Sequence, residues 1–146
     1  MSSTNILLAQ SREEIENCYP VIQELRPELK DKTAFTHQIQ RQFLEGYVLV
    51  YLLDQNEVAA CMGYRFLETL AWGKILYIDD LITRAKSRKK GLAGFLMDYA
   101  LDEARKKQCA QLHLDSGHHR HDAHRLYLNK GLMISCHHLA RIFNER

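Results

Sequence analysis

The stretch from Lys74 to Thr83 constrains this chain most. Ile75-Leu76-Tyr77-Ile78-Asp79-Asp80-Leu81-Ile82-Thr83 is an apolar, strand-forming run with two carboxylates in its middle. Adjacent acids inside such a strand are costly unless one of them faces a cleft. The run feeds directly into Arg84-Ala85-Lys86-Ser87-Arg88-Lys89-Lys90-Gly91-Leu92-Ala93-Gly94, which holds five cations and two glycines. After it the period changes. Leu92, Phe95, Leu96, Tyr99, Ala100 and Ala104 recur at helical spacing, with charges on the opposite face. A strand, a basic loop and a long amphipathic helix therefore follow one another without a break.

The remaining elements fit around this unit. Asn5–Ala9 reads as a short first strand, and Ser11 with Glu14 forms a capping box that opens a helix to about Glu24. Pro27 interrupts the chain, and a second helix is expected from Thr36 to Leu44. Tyr47–Leu53 and Val58–Phe66 read as strands of an antiparallel hairpin around the polar break Asp54-Gln55-Asn56-Glu57. Gln111–Asp115 is a short strand, and Ala123, Leu126 and Tyr127 mark one face of another helix that Gly131 closes. Leu132–Phe143 reads as one or two final strands. Antiparallel strands followed by strand–helix–strand–helix predict an α/β chain (α+β type) with a mixed, mostly antiparallel sheet flanked by helices.

At 146 residues, with no repeat, low-complexity tract or Gly/Ser linker, a single domain is expected over residues 1–146. Hydrophobic residues at 46% and charged ones at 26% exclude a disordered or collagen-like chain. A net charge of +2 gives no general attraction to nucleic acid or an anionic membrane. The apolar runs are strand-sized, and Met1-Ser2-Ser3-Thr4 lacks the pattern of a signal peptide. Cys18, Cys61, Cys109 and Cys136 contain no CxxC pair and read as free thiols of a cytoplasmic protein.

The basic loop has its own chemistry. Small residues let the backbone approach a ligand closely, and the free amides and positive dipole end of the helix suit a phosphate. The alternative is a solvated basic turn with a glycine cap. GxxxxGK[ST] and GxGxxG are both absent. What is present is Arg88-Lys89-Lys90-Gly91-Leu92-Ala93 between a strand and a helix. This matches (Gln/Arg)-x-x-Gly-x-(Gly/Ala), and the chain resembles the GNAT superfamily of N-acetyltransferases, which use acetyl-CoA. Tyr77–Thr83 resembles the family's fourth strand. Ala123-His124-Arg125-Leu126-Tyr127-Leu128-Asn129-Lys130-Gly131-Leu132 resembles its Ala-x-x-x-Tyr-x-x-x-Gly-Phe segment. The resemblance covers roughly Val48 to Phe143.

What the resemblance implies can be carried over residue by residue. The pyrophosphate of CoA would lie on the amides of Arg88, Lys89, Lys90, Gly91, Leu92, Ala93 and Gly94. The pantetheine arm would pair with the main chain of Leu81, Ile82 and Thr83. Asp79 stands where several members carry a catalytic glutamate. It is a candidate base acting through a water, or an anchor for the acceptor's ammonium, against a structural role. Asp80 reads as a buried, hydrogen-bonded carboxylate pointing to the other face of a regular strand. Tyr127 stands at the position of the family's general-acid tyrosine, the alternative being a core tyrosine. Arg120 replaces a common asparagine and would contact a cofactor phosphate or face solvent.

Eight histidines, including His118, His119, His121 and His124, show no recognised zinc spacing, so no metal is expected. His119 and His138 are loose candidates for a base or an acceptor contact. The basic loop lacks the aromatics and wider basic face of a nucleic-acid site. Two functions remain. One is acetyl transfer from acetyl-CoA to a primary amine by direct attack in a ternary complex. The other is a non-catalytic acyl-CoA-binding or sensor domain of the same fold. The acceptor, a small molecule or a peptide or protein amine, is not encoded legibly; Glu24, Glu28 and Asp31 could attract a cation or simply form a solvated cluster. A homodimer through the sheet or the final strands is open.

Overall fold

The computed structural model describes residues 5–145. The chain forms two compact units, one ending at Leu114 and one beginning at Asp115. The first unit is built on a five-stranded sheet in the order β1 (Leu7–Leu8), β2 (Val48–Asp54), β3 (Glu57–Thr69), β4 (Gly73–Thr83), β5 (Gln111–Leu114). Neighbours are antiparallel except β4 and β5, which are parallel. The expected mixed, mostly antiparallel sheet is therefore the observed one. Helices α1 (Arg12–Leu25), α2 (Lys32–Leu44) and α3 (Leu92–Lys106) flank it.

Local chemistry sets these elements. Ser11 Oγ accepts from the Glu14 amide at 3.1 Å while Glu14 Oε1 accepts from the Ser11 amide at 3.0 Å, closing the capping box. Helix α2 begins at Lys32, four residues before the sequence expectation, because Asp31 caps it by accepting from the Thr33 amide at 2.9 Å. The β2–β3 turn places both Gln55 and Asn56 at positive φ (55° and 62°), the two-residue turn whose twist suits a hairpin.

Strand β3 is buried without alternation from Val58 to Tyr64, as expected of a strand covered on both faces. Ile15, Cys18, Val21 and Ile22 of α1 and Phe35 and Ile39 of α2 form one core with Leu49, Tyr51, Cys61 and Ile82. Alternate residues Val50, Leu52 and Met62 are fully buried as well, and α3, which buries Leu96, Met97, Ala100 and Ala104, packs on β3 and β4.

The second unit contains α4 (His121–Asn129). The Gly131 and Leu132 amides donate back to the Leu128 and Tyr127 carbonyls, closing the helix where the sequence suggested. The final strands expected over Leu132–Phe143 are not formed: no helix or strand follows α4 among the described residues. Strand propensity describes how side chains fit a pleated, half-buried surface, and it produces a strand only where the backbone finds a neighbouring ladder.

Candidate active site

The paired acids of β4 sit at a break in the sheet. Gly63 lies opposite Asp80 and Tyr64 opposite Ile78, so Asp79 is the additional residue of a β-bulge. The regular alternation assumed from sequence therefore does not hold here. Each acid has its own partners. Asp80 Oδ1 accepts from Arg26 Nε at 3.1 Å and Nη2 at 3.0 Å, and its Oδ2 accepts from Tyr47 Oη at 2.7 Å. Arg26 Nη2 also donates to the Asp79 carbonyl at 3.0 Å, serving a main-chain acceptor at the bulge.

Tyr47 can reach Asp80 only because residue 63 has no side chain. A Cβ on Gly63 would stand 1.7 Å from Tyr47 Oη. Burial, then the neighbouring Asp80 carboxylate, holds the Tyr47 phenol far above its ordinary value, so it stays a hydrogen-bond donor.

Asp79 is half-buried and paired with Arg65: Nη2 donates to Oδ2 at 2.6 Å, and Nε lies 3.1 Å from each carboxylate oxygen. The Arg65 guanidinium also lies over the Tyr47 ring, 5.3 Å from its centroid. Burial raises the Asp79 carboxyl above the usual aspartate range, and Arg65 pulls it back only in part. A carboxylate of raised basicity beside a strand break can accept a proton through water or hold an ammonium.

Parallel pairing of β4 with β5 ends at Ile78 and Leu114, yet β4 runs on to Thr83. The main chain of Leu81, Ile82 and Thr83 thus lies beyond the reach of the β5 ladder. Thr83 Oγ1 is buried there with no hydrogen-bond partner among the described residues. A 3-10 turn, Ala85–Ser87, leads to α3, which no side chain caps at its N-terminus among the described residues. Gly91 precedes it at φ 77°, a conformation costly for other residues, with open space where a Cβ would point.

The five cations of this loop divide in two. Arg84 is buried and donates to Ser87 Oγ at 2.7 Å and the Asp54 carbonyl at 3.0 Å. Lys86 pairs with Glu57 at 3.3 Å, and Lys90 with Asp54 at 2.7 Å. The Lys90 and Ser87 hydrogen bonds hold the Asp54 carboxyl below its ordinary value. Arg88 and Lys89 form no ion pair among the described residues. Helix amides without a side-chain cap, cations without an ion pair, a strand edge beyond the β5 ladder and an orphaned hydroxyl fit the pyrophosphate and amide-bearing arm of a CoA thioester.

Asp79, Leu81–Thr83 and Arg88–Gly94 thus lie on one continuous stretch of the first unit. Arg120 and Tyr127 belong to the second. Tyr127 is buried on α4; burial raises its phenol above the ordinary tyrosine value, and Arg120 draws it down somewhat. Among the described residues no three His, Cys, Asp or Glu side chains are grouped to hold a metal. His138 pairs with Asp115 at 3.2 Å, and His124 lies 2.9 Å from the Gly117 carbonyl. Glu24 is exposed and accepts from the Ala85 amide at 2.9 Å, which ties α1 to the loop.

Sequence reasoning missed Arg26, Tyr47, Gly63 and Arg65. Their partners on β4 are between 14 and 54 residues away, and no local pattern marks them. The one available signal is Asp80 itself, a part-buried acid inside an apolar strand that has to find donors.

The chain matches the family model described as Acetyltransferase (GNAT) family over residues 10–132. It is 38% identical over 120 residues to an uncharacterized N-acetyltransferase, YhdJ, of Bacillus subtilis (strain 168), covering 82% of this chain and 84% of that one. Its fold is similar to that of a transcriptional regulator from Bacillus halodurans C-125, with a TM-score of 0.85, 18% identity and coverage of 97% and 100% of the two chains. It is also similar to a predicted acetyltransferase from Clostridium acetobutylicum solved with acetyl-CoA, with a TM-score of 0.75, 16% identity and coverage of 96% of each chain. With the family model spanning most of its length, this chain belongs to the GNAT acetyltransferase family.

Proposed function

We propose that the protein transfers an acetyl group from acetyl-CoA to a primary amine by direct attack within a ternary complex. The observation that carries this reading is the continuity of β4. The fourteen residues from Asp79 to Leu92 carry the acid at a bulge, a strand edge past the end of the β5 ladder and, after Arg88 and Lys89, a helix N-terminus that no side chain caps among the described residues. The thioester supplies an activated acetyl carbon. The amine nitrogen attacks that carbon, the C–S bond breaks, and the sulfur leaves with the bonding electron pair. An alkylammonium, with a pKa of about 10.4, must first lose a proton. In this reading Asp79 takes it through a water, and Tyr127 gives a proton to the leaving thiolate. The acceptor is a small-molecule amine or a peptide or protein amine, and the free thiols favour a cytoplasmic setting. No described helix is long and apolar enough to cross a membrane.

A second reading rests on one observation: both oxygens of Asp79 are already held by Arg65. It describes an acyl-CoA-binding or sensor domain without turnover. Calorimetric titration with acetyl-CoA, followed by thiol release across an amine panel, separates the two. Transfer predicts binding and amine-dependent release, whereas a sensor predicts binding alone.

A further inference from the structure

The two arginines at the β4 bulge come from different elements and meet at one residue. Arg26 stands at the C-cap of α1 and Arg65 on β3. Arg65 commits its Nε and Nη2 to the Asp79 carboxylate, and Arg26 commits its Nε and Nη2 to Asp80 Oδ1. Arg26 Nη2 also donates to the Asp79 carbonyl. In both guanidinium groups Nη1 has no hydrogen-bond or ion-pair partner among the described residues. Neither Nη1 is an orphaned buried donor, so each one touches solvent. The side chains as a whole are 41% exposed for Arg26 and 20% for Arg65.

A guanidinium is a planar fork of donors, and a carboxylate is the group that matches it. Here an aspartate fixes one edge of each fork, so the plane of the other edge is set before any ligand arrives. Preorganisation of this kind removes much of the ordering cost of binding. Arg26 and Arg65 balance Asp79 and Asp80, so a ligand carrying one ammonium and one carboxylate adds no net charge to a partly buried site. Both arginines bond to Asp79, one at its main chain and one at its side chain. A carboxylate on their free sides therefore stands close to the group read as the base, and the amine and the carboxylate belong to one small molecule.

We propose that the acceptor is a small amino acid, whose carboxylate is held by the Nη1 sides of Arg26 and Arg65 while its amine is presented to Asp79. This inference rests on the acetyl-transfer reading and narrows its acceptor. The amine nitrogen forms the new bond to the acetyl carbon, and the C–S bond breaks with its electron pair leaving on sulfur. An ammonium and a thioester enter; an amide, a thiol and one proton leave. The acceptor's carboxylate takes no part in the bond changes.

A matched series of acceptors tests it: glycine, β-alanine and 4-aminobutanoate, each against its carboxamide and the corresponding alkylamine, with thiol release from acetyl-CoA as the readout. The best amino acid is expected to exceed its carboxamide in kcat/KM by roughly 10- to 100-fold, the range of a hydrogen bond to a charged group. In Arg26→Gln and Arg65→Gln that ratio is expected to fall towards parity through the KM of the amino acid, and Arg26→Lys is expected to keep part of it. A purely structural loss lowers both acceptors alike and leaves the ratio standing. Two results would overturn the proposal: a wild type that uses the carboxamides or alkylamines as well as the amino acids, or a ratio unchanged in both glutamine variants. Either one leaves acetyl transfer intact. Bound CoA with no thiol release from any amine of a wider panel would instead overturn the acetyl-transfer reading, and this inference with it.

Discussion

Arg65 and Asp79 form a forked ion pair, with Nη2 2.6 Å from Oδ2 and Nε 3.1 Å from both carboxylate oxygens, while only about a fifth of either side chain is exposed. The pair lies at the bulge of β4, where the proposed chemistry needs a proton acceptor. Burial raises the Asp79 carboxyl and Arg65 opposes that rise. Replacing Arg65 by Gln therefore moves the Asp79 pKa further up. Since the base must be ionised, the acid limb of kcat/KM against pH shifts to higher pH in Arg65→Gln. Stability follows the same sign. A raised carboxyl contributes fully below its unfolded value and loses that contribution as pH rises through the folded one. The thermal penalty of Arg65→Gln is therefore larger at neutral pH than in acid. A pH profile identical to the wild type would remove Asp79 from the role of base.

The Tyr47–Asp80 hydrogen bond gives a prediction about stability. Tyr47→Phe leaves the Asp80 carboxylate short of one donor and should cost about 1–3 kcal/mol in denaturant unfolding. Gly63→Ala drives a Cβ into the Tyr47 hydroxyl. It should cost about 1–3 kcal/mol through overpacking, with most of that loss absent when combined with Tyr47→Ala. Additive penalties in the double variant would contradict the packing argument.

The division of the loop cations predicts unequal effects on CoA affinity. Arg88→Ala removes an uncommitted cation and should weaken binding by roughly 10- to 100-fold, the range of a hydrogen bond to a charged group of about 1.5–3 kcal/mol. Lys90→Ala should weaken it less, because Asp54 already holds that ammonium. Titration calorimetry with CoA at fixed salt checks the ranking, and a larger loss for Lys90→Ala would reverse it.

The capping box at Ser11 predicts a modest, local effect. Ser11→Ala should destabilise the chain by about 1 kcal/mol. The backbone donors of Ser11 and Gln10 hold Glu14 below its ordinary value. Its contribution is therefore present above the unfolded carboxyl value and is lost as pH falls through the folded one. Thermal melts of wild type and Glu14→Gln should accordingly converge in acid.

How much of this was legible beforehand follows the range of the interactions. The capping box, the polar hairpin turn and the strand–loop–helix around Gly91 are encoded within a few residues, and the structure forms each where the sequence placed it. Asp31 as the cap of α2 is a local signal of the same kind, as aspartate is a preferred cap, although in the sequence it stands in an acidic cluster with Glu28. The bulge at Asp79 was not readable, because it depends on register against Gly63, and neither residue signals it alone. Arg26 and Arg65 became visible only once folding carried them to β4. Leu132–Phe143 failed for the opposite reason: its local propensity is strand-like, but propensity does not supply a partner strand.

Acetyl transfer itself is measured by thiol release from acetyl-CoA in the presence of an amine panel, comparing wild type with Asp79→Asn and Tyr127→Phe. Amine-dependent release is expected to fall by roughly 10²- to 10⁴-fold in each variant, while affinity for CoA stays unchanged. Release that persists at the wild-type rate in both variants, or a wild-type protein that does not bind CoA at all, would contradict it.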